Sequence, residues 1–137
     1  MLDNTDWEIL KLLKANCKRQ LRDIGDIVHL TGQAVSNRIV KMEKLGIIKS
    51  YSVVLNDKLL GKNITAYVTI FMKTTNHEAF RTFLTANDSV VEASRISGDG
   101  CYILKLQVSS PDELNCFLDS VLKYGNYQVN ICIGKIK

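Results

Sequence analysis

A chain of 137 residues with 46% hydrophobic and 23% charged residues has room for one medium domain or two small ones, and this balance excludes a disordered chain. No apolar run approaches the length of a membrane span and the start, MLDNTDWEIL, carries no basic leader, so a cytoplasmic protein without a membrane partner is expected. The net charge of +4 is unevenly placed: residues 1 to 62 hold 11 Lys/Arg against 7 Asp/Glu and residues 63 to 137 hold 7 of each, so the basic excess expected of a nucleic-acid module lies wholly in the first part.

Residues 3 to 15 predict a first helix. Asp3 or Thr5 can cap it, Asp6 and Glu8 suit its positive N-terminal end, and Ile9, Leu10 and Leu13 form an apolar stripe. A second, short helix is expected from about Gln20 to His29, with Leu21, Ile24, Ile27 and Val28 inward. Only His29 and Leu30 then precede Thr31, a good N-cap for a third helix that stops at Gly46. Within that helix Val35, Ile39, Met42 and Leu45 recur at four, three and three, which places them on one face. The opposite face carries Gln33, Asn37, Lys41 and Lys44, with Ser36 and Val40 to one side and Glu43 near the flank. A short helix, a tight turn and a capped amphipathic helix make a helix-turn-helix, whose second helix enters the major groove of DNA.

The candidate DNA contacts follow from side-chain chemistry. Gln33 and Asn37 can each pair with an adenine edge, Ser36 and Lys41 stand beside them, Arg38 and Lys44 point to phosphate, and Thr31 marks the start of the helix. Arg38 sits at the edge of the apolar stripe, where its head reaches either a phosphate or an acidic side chain of the same domain. The plain alternative for the whole set is a polar face that meets water. Trp7 and Tyr51 are read as packing residues, and His29 as a solvated residue beside the turn.

Tyr51, Val53 and Leu55 alternate with smaller or polar residues and predict a strand within a linker of residues 50 to 62. From residue 63 the period becomes two. ITAYVTIFMKT reads as a strand, Thr75-Asn76-His77-Glu78 as a capping box that launches a helix with Ala79, Phe80, Phe83 and Leu84, and VVEASRIS and CYILKLQVS as two strands joined at Gly98-Asp99-Gly100. Ser110-Pro111-Asp112-Glu113 starts a second helix, with Leu114, Phe117, Leu118, Val121 and Leu122 on its stripe, and YQVNICIGKI closes as a strand. The fold class is therefore α+β: residues 1 to 49 form a helix-turn-helix, winged-helix-like domain, 50 to 62 a linker strand, and 63 to 137 a ferredoxin-like βαββαβ domain. Ala66, Val68, Ile70 and Met72 face one way in its first strand, and Tyr67 and Phe71 the other. That second face has no covering element, which predicts a homodimer through the sheet.

Cys17, Cys101, Cys116 and Cys132 make no CxxC pair, and His29 and His77 complete no zinc spacing, so neither disulfides nor a metal nor any other cofactor is expected, and most of the thiols are read as small buried hydrophobes. A rival reading makes Cys101 a nucleophile beside a glycine turn. Neither histidine is placed near it by sequence, and the nearest base candidate, Lys105, points to the opposite face from Tyr102 only if the strand is regular, so the chain is read as no enzyme. A third reading keeps the DNA but not the site: an architectural protein that wraps DNA through Lys41, Lys44 and Lys49 with little sequence preference and no effector.

Leu2-Asp3 with Asp6, Ile9 and Leu10, then Leu30-Thr31, Val35, Arg38-Ile39, Leu45-Gly46, Ile48 and Tyr51, and Gly98-Asp99 further on, resemble the pattern of the leucine-responsive regulator/asparagine-operon regulator (Lrp/AsnC) family of transcription factors over essentially the whole chain. The resemblance implies a sequence-specific transcriptional regulator of double-stranded DNA, dimers assembling to octamers or larger discs at the nucleoid, and control by a small effector, usually an amino acid. It also implies an effector site at the glycine turn, here Gly98, Asp99, Gly100, Cys101 and Tyr102. Two departures stand out. Lys18 and Gln20 replace the family's usual arginine and Ser/Thr cap, and Cys101 stands where an aspartate often precedes the aromatic residue. A thiol cannot hold an ammonium as a carboxylate does, which leaves Asp99 to take that role, or a different effector, or none. Gly-Asp-Gly is also ordinary tight-turn chemistry.

Overall fold

Residues 1 to 137 are all described by the computed structural model, and they fall into two units, Met1–Val54 and Leu55–Lys137. The first unit is helical: α1 spans Asn4–Ala15, α2 Leu21–Val28 and α3 Gly32–Lys44. Asp3 caps α1 through a reciprocal pair, its carboxylate accepting the Asp6 N–H while Asp6 accepts the Asp3 N–H. Gln20 precedes α2 without a side-chain cap, and His29 closes it in the left-handed conformation, φ 58°. Thr31 starts α3 by accepting the Ala34 N–H at 3.1 Å. At the other end Gly46 N–H meets the Glu43 carbonyl and Ile47 N–H the Met42 carbonyl, the paired bonds of a Schellman stop.

Ile9, Ile24, Val28, Val35, Ile39 and Met42 form the core of this unit. Leu45, Leu21 and Ile27, expected on inward faces, and Trp7, expected to pack, are all exposed. Periodicity locates the centre of a buried face but not its width, and three short helices enclose too little volume to cover every apolar side chain. No strand follows α3 within this unit. Residues 51 to 55, expected as the linker strand, pair with nothing in the chain, since an alternating pattern becomes a strand only where a neighbour completes its hydrogen bonds.

The second unit contains β1 (Ile64–Met72), α4 (His77–Thr85), β2 (Val90–Arg95), β3 (Tyr102–Val108), α5 (Pro111–Val121) and β4 (Gly125–Ile131). The strands form one antiparallel sheet in the order β2-β3-β1-β4. This is the order of a split βαβ pair, with β3 returning between β1 and β2. Ala66, Val68 and Ile70 share their face with Tyr102, Leu104 and Leu106, and that face is buried under Phe80 and Leu84 of α4 and Leu114, Phe117, Leu118 and Val121 of α5.

Local chemistry departs from expectation in several places. The cap of α4 is Asn76, which accepts the Ala79 N–H, rather than Thr75, because Asn caps at least as well as Thr and sits one residue closer to the apolar stripe. Ser110 caps α5 as expected, but the Glu113 carboxylate turns to the Ser109 hydroxyl and N–H and to the Ser89 hydroxyl, and these bonds hold its pKa below the usual range. Leu122 is exposed at the end of α5. None of the four thiols is fully buried: Cys17 and Cys116 are exposed and Cys101 and Cys132 half-buried. The second sheet face is mixed and not simply apolar. Register places Asn130, Gln128 and Asn126 of β4 opposite Tyr67, Thr69 and Phe71, and Lys105 and Ile103 of β3 opposite Tyr67 and Thr69.

Candidate nucleic-acid interface

The face of α3 turned away from the core presents Gln33, Asn37, Lys41 and Lys44 to solvent, with Ser36 half-buried beside them. Gln33 and Asn37, one helical turn apart, are joined: Gln33 Nε2 donates to Asn37 Oδ1 at 3.0 Å. The bond leaves the Asn37 amide N–H groups and the Gln33 carbonyl oxygen free, so together the two side chains offer donor and acceptor in a preset geometry. Thr31 is used as the cap of the same helix, and its hydroxyl proton remains free to donate.

Arg38 is committed inside the domain. Its Nη1 donates to Asp3 Oδ2 at 2.7 Å and to Asp6 Oδ1 at 2.8 Å, which ties the middle of α3 to the first turn of α1. Asp6 is almost fully buried there, and the same two carboxylates also cap α1. The hydrogen bond to Arg38, and next the Asp6 N–H, hold the Asp3 carboxyl below its ordinary range. Acids in the first turn of α1 and an arginine at the edge of the α3 stripe were visible in sequence, but their pairing across 35 positions was not.

Tyr51 stands beside α3 through one bond, its hydroxyl donating to Glu43 Oε1 at 2.7 Å. Burial, and next the Glu43 carboxylate, push the phenol up to about 12 from 10.0. A phenol whose folded pKa is raised stabilises the fold fully below pH 10 and loses that contribution as pH rises through about 12. Tyrosinate absorbance in the wild type minus that of Tyr51→Phe should therefore show a group titrating near 12; a difference transition near 10 would mean that the bond to Glu43 does not hold in solution.

In the second unit the five residues of the expected effector site do not act alike. Gly98 adopts φ 103°, and Asp99 is exposed at the tip of the turn. Gly100 lies so close to Thr69 that a Cβ would come within 2.5 Å of Thr69 Cγ2, and Cys101 N–H is bonded to the Ile70 carbonyl at 2.7 Å. Tyr102 faces the helices: it is 3% exposed, stacks edge-on against Phe80, and its hydroxyl lies 2.8 Å from His77 Nδ1. Strand alternation decides this, because Tyr102 shares the face of Leu104 and Leu106. Of the five, Asp99 alone has an exposed side chain, and Tyr102 is a core residue.

Residues 2–43 match the family model for the AsnC-type helix-turn-helix domain, and residues 65–137 match that for the Lrp/AsnC ligand binding domain. The chain belongs to the Lrp/AsnC family. Among Lrp/AsnC relatives, the HTH-type transcriptional regulator LrpB of Bacillus subtilis (strain 168) is 45% identical over 136 residues, covering 99% of this chain and 91% of LrpB. LrpA of the same organism is 37% identical, covering 98% of this chain and all of LrpA. The structure of B. subtilis LrpC superposes with a TM-score of 0.95 at 26% identity, over 100% of this chain and 98% of the LrpC chain. A transcriptional regulator from Neisseria meningitidis, solved as a complex with L-Met, has the same fold, with a TM-score of 0.95 at 21% identity over 100% and 93% of the two chains. Like its Lrp/AsnC relatives, the chain is a transcriptional regulator with a DNA-binding and a ligand-binding domain, not an enzyme. No helix is long and apolar enough to cross a membrane.

Proposed function

We propose that the chain regulates transcription by reading specific sites with α3, its Gln33–Asn37 amide pair on base edges, Ser36 and Lys41 beside them, and Thr31 and Lys44 on phosphates. The observation that carries this reading is the bonded amide pair, held opposite the buried Val35, Ile39 and Met42. Side chains already ordered lose less freedom on binding, and a donor and acceptor at fixed separation suit an adenine edge. Arg38, engaged with Asp3 and Asp6, orients the helix in place of contacting phosphate. The test is a titration of DNA from upstream of the chain's own gene against a shuffled fragment at near-physiological salt. A preference of about a thousandfold is expected. Near-equal affinity with a steep salt dependence would instead describe a wrapping protein. Asn37→Ala should weaken binding by about 1 to 3 kcal/mol on the preferred site and hardly at all on the shuffled one.

The regulator acts as a homodimer or a larger assembly through the sheet face bearing Tyr67, Phe71 and Ile103, in the cytoplasm and on DNA. Exposed Tyr67 and Ile103 on the two central strands, with Asn126, Gln128 and Asn130 along the β4 edge, resemble a dimer surface that is apolar towards its centre and polar at its rim. Sedimentation at micromolar concentration should give a dimer or larger species, and a monomer would remove this reading. A small amino-acid-like effector acts at the turn from Gly98 to Cys101, with the Asp99 carboxylate on its ammonium; support comes from the match to a ligand-binding domain and from the L-Met held by the Neisseria protein of like fold. Calorimetric titration with the twenty amino acids at millimolar concentration should give binding heat for at least one, lost in Asp99→Asn.

A further inference from the structure

On a helix of 3.6 residues per turn, Gln33, Asn37, Val40 and Lys44 fall within about 60° of one another, opposite the buried Val35, Ile39 and Met42. Val40 thus lies on the polar side of the helix, at the edge of that cluster next to Ser36. It is 41% exposed, belongs to neither the core of its unit nor the side chains packed against that core, and shares a shallow hollow with Asn37, Lys41, Lys44 and Leu45. An apolar side chain beside an amide and two lysines, with the exposed Leu45 in the same hollow, adds nothing to a face that only meets water or phosphate. The one apolar group that the major groove offers at base edges is the thymine 5-methyl.

We infer that Val40 is a specificity-determining residue that packs its methyl groups against a thymine 5-methyl next to the base read by the Gln33–Asn37 pair. This rests on the DNA reading above and adds to it. Val40 lies three residues beyond Asn37, about 4.5 Å along the helix axis, little more than one base step of about 3.4 Å. The helix therefore carries an amide reader and a methyl reader in adjacent registers, and the preferred half-site holds a thymine beside the adenine that the amides bind. Lys41 and Lys44 share the hollow with Val40 and lie on one side of it, so a phosphate contact there shields that side of the apolar contact from water.

The experiment selects the preferred site from a randomised duplex pool with the full-length protein, then replaces each thymine of that site singly by deoxyuridine, which removes the 5-methyl and nothing else. Wild-type affinity should fall about fourfold at one thymine per half-site, the worth of one buried methyl group, and remain unchanged at the others. Val40→Ala should bind the thymine and deoxyuridine duplexes alike at that position, whereas Val40→Thr, which keeps one branch methyl, should retain most of the difference. Val40 is exposed, so both variants should keep the helical circular dichroism of the wild type. A preferred site at which no deoxyuridine matters, or a methyl effect unchanged in Val40→Ala, overturns the assignment of Val40 and leaves the DNA reading standing. Selection that yields no preferred site overturns both.

Discussion

Gly25→Ala should unfold the N-terminal unit at ordinary temperature. A Cβ at residue 25 would sit 2.3 Å from the Leu30 carbonyl oxygen and 3.3 Å from its carbonyl carbon. Both are backbone atoms of the turn that delivers the chain to Thr31, so no side chain can swing away. The turn itself is held by the Leu30 N–H bonded to the Gly25 carbonyl at 2.9 Å, and pushing residues 25 and 30 apart breaks that bond too. Overpacking against fixed backbone costs about 3 kcal/mol or more, a large share of what so small a helical unit has to lose. Two transitions should appear in thermal unfolding, one for each unit, with only the earlier one lowered in the variant. Specific DNA binding should disappear, while association through the C-terminal unit persists. A variant that unfolds with wild-type stability would show that the turn can open to admit a methyl group.

Asp6→Ala should destabilise the same unit by about 2 to 3 kcal/mol, because it removes a charge-assisted bond to Arg38 and half of the α1 cap together. Arg38→Met separates the two roles that an arginine at this position can have. As a staple, its loss leaves the buried Asp6 carboxylate without its cation and lowers the melting temperature, while the salt dependence of DNA binding, measured where the variant is folded, keeps its slope. As a phosphate contact, its loss would reduce that slope by about one and leave stability nearly unchanged. The geometry supports the first result. The pH dependence follows in sign: Asp3 titrates below its ordinary 3.8, so its share of stability is complete above that value and is lost as pH falls through the lower folded value. Arg38→Met should flatten that acid limb of the stability curve. The share is modest, since Asp3 is exposed and screened by solvent.

The exposed apolar side chains explain where reading from sequence falls short. Leu45, Ile27 and Leu122 obey the helical period of their neighbours and are nevertheless exposed, as is Trp7. Periodicity reports which direction an apolar side chain faces; whether something lies in that direction is settled by elements distant in the chain. Tyr102 shows the converse, since the resemblance put it at an effector site and the sheet register put it beneath α4.

The sequence by itself determined the helix ends at Thr31 and Gly46, the period change at residue 63, the order of strands and helices, the polar face of α3 and the family to which the chain belongs, because caps, turn residues and apolar spacing act within a few residues of one another. Only the tertiary structure decided that Arg38 is held by Asp3 and Asp6, that Gly25 lies against the Leu30 carbonyl, that residues 51 to 55 form no strand within one chain, and that Tyr102 belongs to the core with His77. Each of these depends on which groups meet after the chain turns back on itself. Hydrogen bonds, ion pairs and close packing act over only a few ångströms, so their partners are set by the fold rather than by neighbouring residues.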